Sequence, residues 1–267
     1  MPDVRNKMLH DDILKWDLEM WAGEKAYEKH EYAKAEGLIG EALEDSEKFA
    51  DGEPLTTASL RDLILVYCSE GKFREAERLF LRELMLHEGV YGPEHPKIAD
   101  DLNEFGMFYA GLKRFTEAVP LLQHSLAIEE KHCTFDCATV REARNELLAI
   151  FVETEQYAQA EKLLNSLRAT QEKAFGPICA EVAATLRQIS EVYRAQAKYD
   201  ESERALRIAL ETLEATTGSN RQPFAGCLDE YASVLRRLDR EPEAVKAECQ
   251  ARAIRSHLER EERSGLN

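Results

Sequence analysis

Glycine and proline are scarce in this chain, at 13 and 8 of 267 residues. That leaves little material for tight β-turns and favours helices. Six cysteines are too sparse for a disulfide scaffold at this length, so the expectation is a reduced, cytoplasmic protein. Long apolar runs are missing as well. The longest clean one, Leu63 to Cys68, falls far short of the roughly 20 residues that span a bilayer. The opening stretch MPDVRNKMLHDD holds no apolar core of signal-peptide length. Basic charge is also in deficit: 35 Lys and Arg face 51 Asp and Glu, a formal net charge of −16. So acidic a surface repels phosphate backbones and anionic lipid, and the expectation is no nucleic acid and no membrane among the partners. What remains, 44% hydrophobic and 32% charged, suits a folded chain rather than a disordered one.

Self-comparison reveals the organisation. The segments HEYAKAE, GKFREAE, KRFTEAV, EQYAQAE, AKYDESE and REPEAV place anchors at Tyr32, Phe73, Phe115, Tyr157, Tyr199 and Glu241, separated by 41 and then four times by 42 residues. Other columns keep this phase. Six positions before the anchor stand Tyr67, Tyr109, Phe151, Tyr193 and Leu235, and three after it Ala35, Ala76, Ala118, Ala160, Ser202 and Ala244. Thirteen before it stand Leu60, Leu102, Leu186 and Leu228, with Arg144 breaking the column in the fourth repeat. Six repeats from about residue 16 to 266 leave about 15 residues in front, so a single repeat domain covers 1–267.

Each repeat reads as two helices. Ile98, Leu102, Phe105 and Tyr109 follow helical spacing, and so do Ala118, Leu121, Leu122 and Leu126. A short basic turn between them makes the two helices antiparallel neighbours. Punctuation separates the repeats at Asp51-Gly52-Glu53-Pro54, Gly92-Pro93, Gly176-Pro177 and Gly218-Ser219-Asn220. The small column lets paired helices approach, while the aromatic and Leu columns fill the space between them. One repeat cannot bury its apolar face alone, so neighbours must stack.

Leu102-x-x-Phe105-Gly106-x-x-Tyr109 with Ala118, and Ala76-x-x-x-Phe80, resemble the tetratricopeptide repeat. The 42-residue period and the linker Tyr91-Gly92-Pro93-Glu94-His95-Pro96 are similar to the kinesin-light-chain type of that repeat. The resemblance implies an all-α, right-handed superhelical solenoid of about six helix-turn-helix repeats. Ala26 in the aromatic column and Glu241 as an anchor are the departures expected of end caps. Kinesin itself is not implied, since no heptad segment accompanies the repeats.

The resemblance further implies that the first helix of each repeat lines a concave groove where an extended peptide binds, without catalysis. By register alone, the peptide-binding candidates are Arg61, Asp62, Leu65, Asn103, Glu104, Met107, Asn145, Glu146, Arg187 and Arg194. Asn side chains both donate to and accept from a peptide backbone. Arg61 and Arg187 are suited to bidentate capture of a ligand carboxylate. Leu65 and Met107 offer an apolar floor. Arg194, Arg236, Arg237 and Arg240 gather towards the C-terminus while carboxylates dominate the middle, matching a peptide with an acidic end. A regulatory peptide-sensing receptor, or a self-assembling scaffold, is the alternative.

Six of the nine residues from Ile13 to Trp21 are apolar, including Trp16 and Trp21, more than one buried stripe needs. Either the first 12 residues fold back over them or a second copy covers them, giving a homodimer. Catalytic, cofactor and metal sites are not expected. No phosphate-binding glycine loop or nucleophile elbow is present, His87-Glu88 lacks the second histidine of a zinc-protease helix, and His132-Cys133-x3-Cys137 lacks a second ligand pair.

Overall fold

The computed structural model describes residues 2–49, 53–132, 138–216 and 221–264, and among them every regular element is an α-helix. In chain order these are α1 (Pro2–Glu28), α2 (Tyr32–Ser46), α3 (Glu53–Glu70), α4 (Phe73–Tyr91), α5 (Pro96–Gly111), α6 (Phe115–His132), α7 (Ala138–Glu153), α8 (Tyr157–Phe175), α9 (Ala180–Ala195), α10 (Tyr199–Thr216), α11 (Gln222–Arg237) and α12 (Glu241–Ser264). Asp51, Gly52, Gly218, Ser219, Asn220, Cys133 and Cys137, on which linker and metal readings were placed, lie outside the described residues. The chain falls into two compact units, Met1–Glu146 and Leu147–Asn267. In the first, α1 packs on α2, α3 on α4 and α5 on α6; in the second, α9 packs on α10 and α11 on α12.

The six anchors are the first residues of the even-numbered helices. Two positions before each lies a residue with positive φ: His30, Gly71, Lys113, Glu155, Ala197 and Asp239, between 56° and 73°. Each marks a Schellman-type end to the preceding helix. The N–H just before the anchor reaches back to the carbonyl of the column six before it, as in Lys72 to Tyr67 at 2.8 Å, Arg114 to Tyr109 at 2.9 Å and Lys198 to Tyr193 at 2.9 Å. This column therefore closes the first helix, and its rings carry the basic turn residue. The Arg114 guanidinium lies 4.5 Å from the centre of the Tyr109 ring and the Lys72 ammonium 5.6 Å from that of Tyr67.

Five of the six left-handed positions hold residues other than glycine, each at a cost of roughly 1–2 kcal/mol. Ala197→Gly is thus expected to stabilise the chain by up to about 1 kcal/mol once the larger unfolded-state entropy of glycine is subtracted. A rise in urea midpoint at unchanged m value would show it.

The small column is sealed: Ala35, Ala76, Ala118, Ala160, Ser202 and Ala244 are all 0% exposed. Leu60, Leu102, Leu186 and Leu228 are buried, as is Arg144 in the same column. Successive repeats are also tied by charge. The basic residue before the anchor reaches a glutamate of the previous repeat in Lys72–Glu36 at 2.6 Å and Arg114–Glu77 at 3.0 Å in the first unit, and in Lys198–Glu161 at 3.8 Å and Arg240–Glu203 at 3.7 Å in the second.

At the N-terminus the structure corrects one expectation. Helix α1 runs unbroken from Pro2 to Glu28, so the first 12 residues extend the helix and do not fold back over its apolar side. Trp16 is half-buried and donates its indole N–H to Ser59 Oγ at 2.9 Å. Leu14, Leu18 and Trp21 stay exposed.

Candidate functional site

In the first unit, α3, α4 and α5 bring together a buried polar network. Glu83 and His87, one helical turn apart on α4, and Asp101 on α5 are no more than 4% exposed. His87 Nδ1 lies 2.5 Å from Asp101 Oδ2, and its Nε2 lies 3.0 Å from Thr57 Oγ1 and 2.9 Å from Glu53 Oε1. Arg61 donates from Nε to Glu83 Oε1 at 2.6 Å and from Nη2 to Asp101 Oδ1 at 3.4 Å, with Glu104 at 3.6 Å. Ligating atoms of Glu83, His87 and Asp101 lie within 4.8 Å of one another, a donor set typical of divalent metals. The Arg61 guanidinium already supplies a cation to both carboxylates, so the network reads as an internal ion cluster. Its position recurs: Gln171 and Thr185 stand at the register of His87 and Asp101, and Thr185 Oγ1 donates to Gln171 Oε1 at 2.7 Å.

Around this network lie the residues expected to bind peptide. Leu65 and Met107 are exposed at 54% and 45%, and Asp62 is half-buried beside them in sequence with Glu104 exposed. Asn103 behaves differently. Its side chain is only 6% exposed, its Oδ1 has no hydrogen-bond partner among the described residues, and its Nδ2 faces Met107 Sδ at 3.8 Å. A buried amide left open in this way carries a desolvation penalty of about 1–3 kcal/mol. Asn145 is exposed and Glu146 half-buried on α7. The Arg61 guanidinium, expected from the sequence to meet a ligand carboxylate, is engaged by Glu83 and Asp101 within the protein.

The second unit repeats this internal pairing. Arg187 makes a bidentate pair with Glu230, Nε to Oε2 at 2.9 Å. Of the basic group near the C-terminus, Arg236 is held by Glu241 and Glu248, and Arg240 by Glu243. Arg194 and Arg237 have no carboxylate within 4.0 Å among the described residues, and they share a cavity with Ser233 and Tyr199. Cys68, on the same helix face as Leu65, is half-buried, and burial pushes its thiol above the ordinary range, away from reactivity.

Burial raises a set of carboxylates. It is the largest cause at Asp62, Glu83, Asp100, Glu104 and Glu191, with Glu24 adding repulsion at Asp62 and Arg61 opposing at Glu83 and Glu104. Another set is lowered by bonding partners: Lys15 and Lys48 at Asp45, Tyr109 and Arg114 at Glu77, Lys131 at Glu94, Arg240 at Glu243 and Arg236 at Glu248. The signs separate by pH. A carboxyl whose folded value is raised contributes stability that is fully present below its ordinary range and is lost as pH rises through the raised value. A lowered one loses its contribution only as pH falls below the ordinary range. The melting temperature is therefore expected to fall as pH rises above the ordinary carboxylate range and to fall as well below about pH 4. A monotonic rise to pH 8 would contradict this assignment.

Family models for the tetratricopeptide repeat match residues 55–131 and 182–222. The fold is similar to that of BtubC (BKLC) from P. vanneervenii, at 16% identity over 85% of this chain and 92% of that one, with a TM-score of 0.57. A putative kinesin light chain with nearly identical TPR-like repeats from Podosopora anserina matches at 20% identity over 77% of this chain and 96% of its own, also with a TM-score of 0.57. Aspartyl phosphate phosphatase F from Bacillus subtilis matches at 12% identity over 91% of this chain and 60% of its own, with a TM-score of 0.51. No curated protein sequence matches significantly. Among the described residues no helix is long and apolar enough to cross a membrane. Residues 55–131 and 182–222 thus carry tetratricopeptide repeats, within a 42-residue period that runs through the chain, and the fold is similar to that of solved kinesin-light-chain repeats.

Proposed function

We propose that this protein is a non-catalytic, cytoplasmic scaffold that binds an extended segment of a protein partner on the exposed face of its odd-numbered helices. Tetratricopeptide repeats serve protein interaction, and one observation selects this face. Asn103 is buried with an unsatisfied amide, flanked by exposed Glu104 and by the apolar pair Leu65 and Met107. Turned outward from Met107, that amide meets an N–H and a C=O of an extended backbone whatever its side chains, and Leu65 and Met107 take an apolar residue of the partner. Arg61 and Arg187, held by internal carboxylates, shape the face and do not bind the partner's charge directly. Asn145 and Glu146 extend the polar rail along α7.

The test uses peptides selected from a random library against the wild-type protein, titrated against Asn103→Leu. Removing an unsatisfied buried amide is expected to raise stability by about 1 kcal/mol. The same substitution is expected to weaken the selected peptides at least about tenfold, or 1.4 kcal/mol. Unchanged affinity in a folded Asn103→Leu protein would overturn the reading.

A second reading, self-association through α1, is favoured by the exposure of one residue. Leu18 is 66% exposed, yet at its register in later repeats Ser59, Asp101, Ala143, Thr185 and Cys227 are all 4% exposed or less. The first repeat thus presents an unfilled stacking position beside exposed Leu14 and Trp21. Sedimentation at tens of micromolar decides it: a dimer dispersed by Leu18→Glu supports the reading, and a wild-type monomer refutes it.

A further inference from the structure

The first and last helices of the array offer different surfaces to a neighbour. Seven residues after the anchor stand Ile39, Phe80, Leu122, Leu164 and Leu206, none more than 8% exposed, and Phe80 stacks on Phe105 of the following repeat with ring centres 5.1 Å apart. The same position in α12 holds Glu248, which accepts from the Arg236 guanidinium at 2.8 Å. Further along that side of α12, Arg252 is exposed and Arg255 is paired with Asp229. Charged residues thus occupy the side on which a further helix would stack, which is the polar outer face of a capping repeat.

Helix α1 carries no such charged cover. Leu14, Leu18 and Trp21 are 47%, 66% and 57% exposed, and their spacings of four and three place them on one stripe. The two ends of that stripe bear opposite charges. Asp11, exposed, lies seven residues before Leu18, and Lys25 lies seven residues after it with its side chain 44% exposed. Lys25 is bonded to Glu28 of its own helix at 2.7 Å, an exposed pair that holds it only weakly. Seven residues are two turns, about 10 Å, so the charges are placed symmetrically about Leu18.

This symmetry selects the occupant and its direction. Two copies of the stripe laid antiparallel and crossing at Leu18 bring each Asp11 to the other copy's Lys25 and enclose the apolar residues between them. Laid parallel, they set Asp11 against Asp11 and Lys25 against Lys25. Stacking α1 on α12 of another copy would bury apolar side chains against Glu248, Arg252 and Arg255.

We infer that this protein forms a closed dimer in which the α1 helices of two copies pair antiparallel about a twofold axis at Leu18, fastened at both ends by Asp11 and Lys25. The inference rests on the self-association reading above and names the surface of the second copy and its direction. Such a contact is isologous, so it is consumed in the dimer and does not propagate into a filament.

The test is sedimentation velocity of the full chain across micromolar concentrations at about 50 mM salt, where exposed charges are least screened. Wild type is expected to saturate at the dimer. Asp11→Lys and Lys25→Asp are each expected to weaken the dimer at least about fivefold, because each turns two attractions into two repulsions. The swap Asp11→Lys/Lys25→Asp is expected to return it to within about twofold of wild type, which also shows that the exposed substitutions leave the fold intact. Species heavier than a dimer, single variants that dimerise as wild type does, or a swap as weak as the single variants would overturn the antiparallel dimer. A wild-type monomer refutes the self-association reading and this inference with it. A dimer dispersed by Leu18→Glu yet indifferent to the charge variants refutes this inference alone, so the two failures are distinguishable.

Discussion

Asp101→Ala is expected to cost about 3–5 kcal/mol, enough to unfold much of the first unit at ambient temperature. The carboxylate receives His87 at 2.5 Å and Arg61 at 3.4 Å, at only 4% exposure. Truncation leaves His87 with Thr57 and Glu53 and Arg61 with Glu83 and Glu104, and opens a polar hole between α4 and α5. Most of the damage arises from the partners left behind, which a double variant can show. His87→Gln/Asp101→Thr copies the Gln171–Thr185 pair found at the same register, while Arg61 keeps Glu83 at 2.6 Å. Chemical denaturation should find the double variant within about 1–2 kcal/mol of wild type, far above Asp101→Ala. If the double variant is as unstable as the single one, the cluster is not a substitutable repeat-to-repeat joint.

Gly106→Ala is expected to destabilise by about 1–2 kcal/mol, although alanine is the better helix former by about 1 kcal/mol. A Cβ at this position would lie 2.7 Å from Leu122 Cγ and 2.8 Å from its Cδ2. Leu122 is fully buried and has no free direction in which to retreat, so α5 and α6 would have to separate. Combining the change with Leu122→Val, which shortens the opposing side chain, should recover at least half of the loss. Additive costs in the two-site cycle would mean that this contact does not set the spacing of the pair.

The repeat frame was legible because its columns carry steric requirements that hold in every repeat. A small residue must face the partner helix, and an apolar residue must close the first helix, whatever else varies. The left-handed turn position was hidden because glycine fills it only at Gly71, while His30, Lys113, Glu155, Ala197 and Asp239 fill it elsewhere. Counting two residues back from each anchor would have found it. The internal pairing of Arg61 and Arg187 was hidden for a different reason. Their partners lie 22, 40 and 43 residues away, on other helices, so only the stacking of repeats brings the charges together. Register arithmetic could have paired His87 with Asp101, since Gln171 and Thr185 repeat the 14-residue separation. The burial of Asn103, in a column otherwise holding Arg61, Asn145, Arg187 and Asp229, carried no sequence signal.

The central claim, that the odd-numbered helices present the partner-binding face, is tested most directly with methionine methyl resonances and a spin-labelled selected peptide. Met107 lies on α5 in the proposed face, and Met85 lies on α4, outside that face and 72% exposed. Saturating peptide should broaden the Met107 methyl and leave Met85 sharp. Broadening of Met85 with Met107 untouched would place the partner on the even-numbered helices and contradict the account.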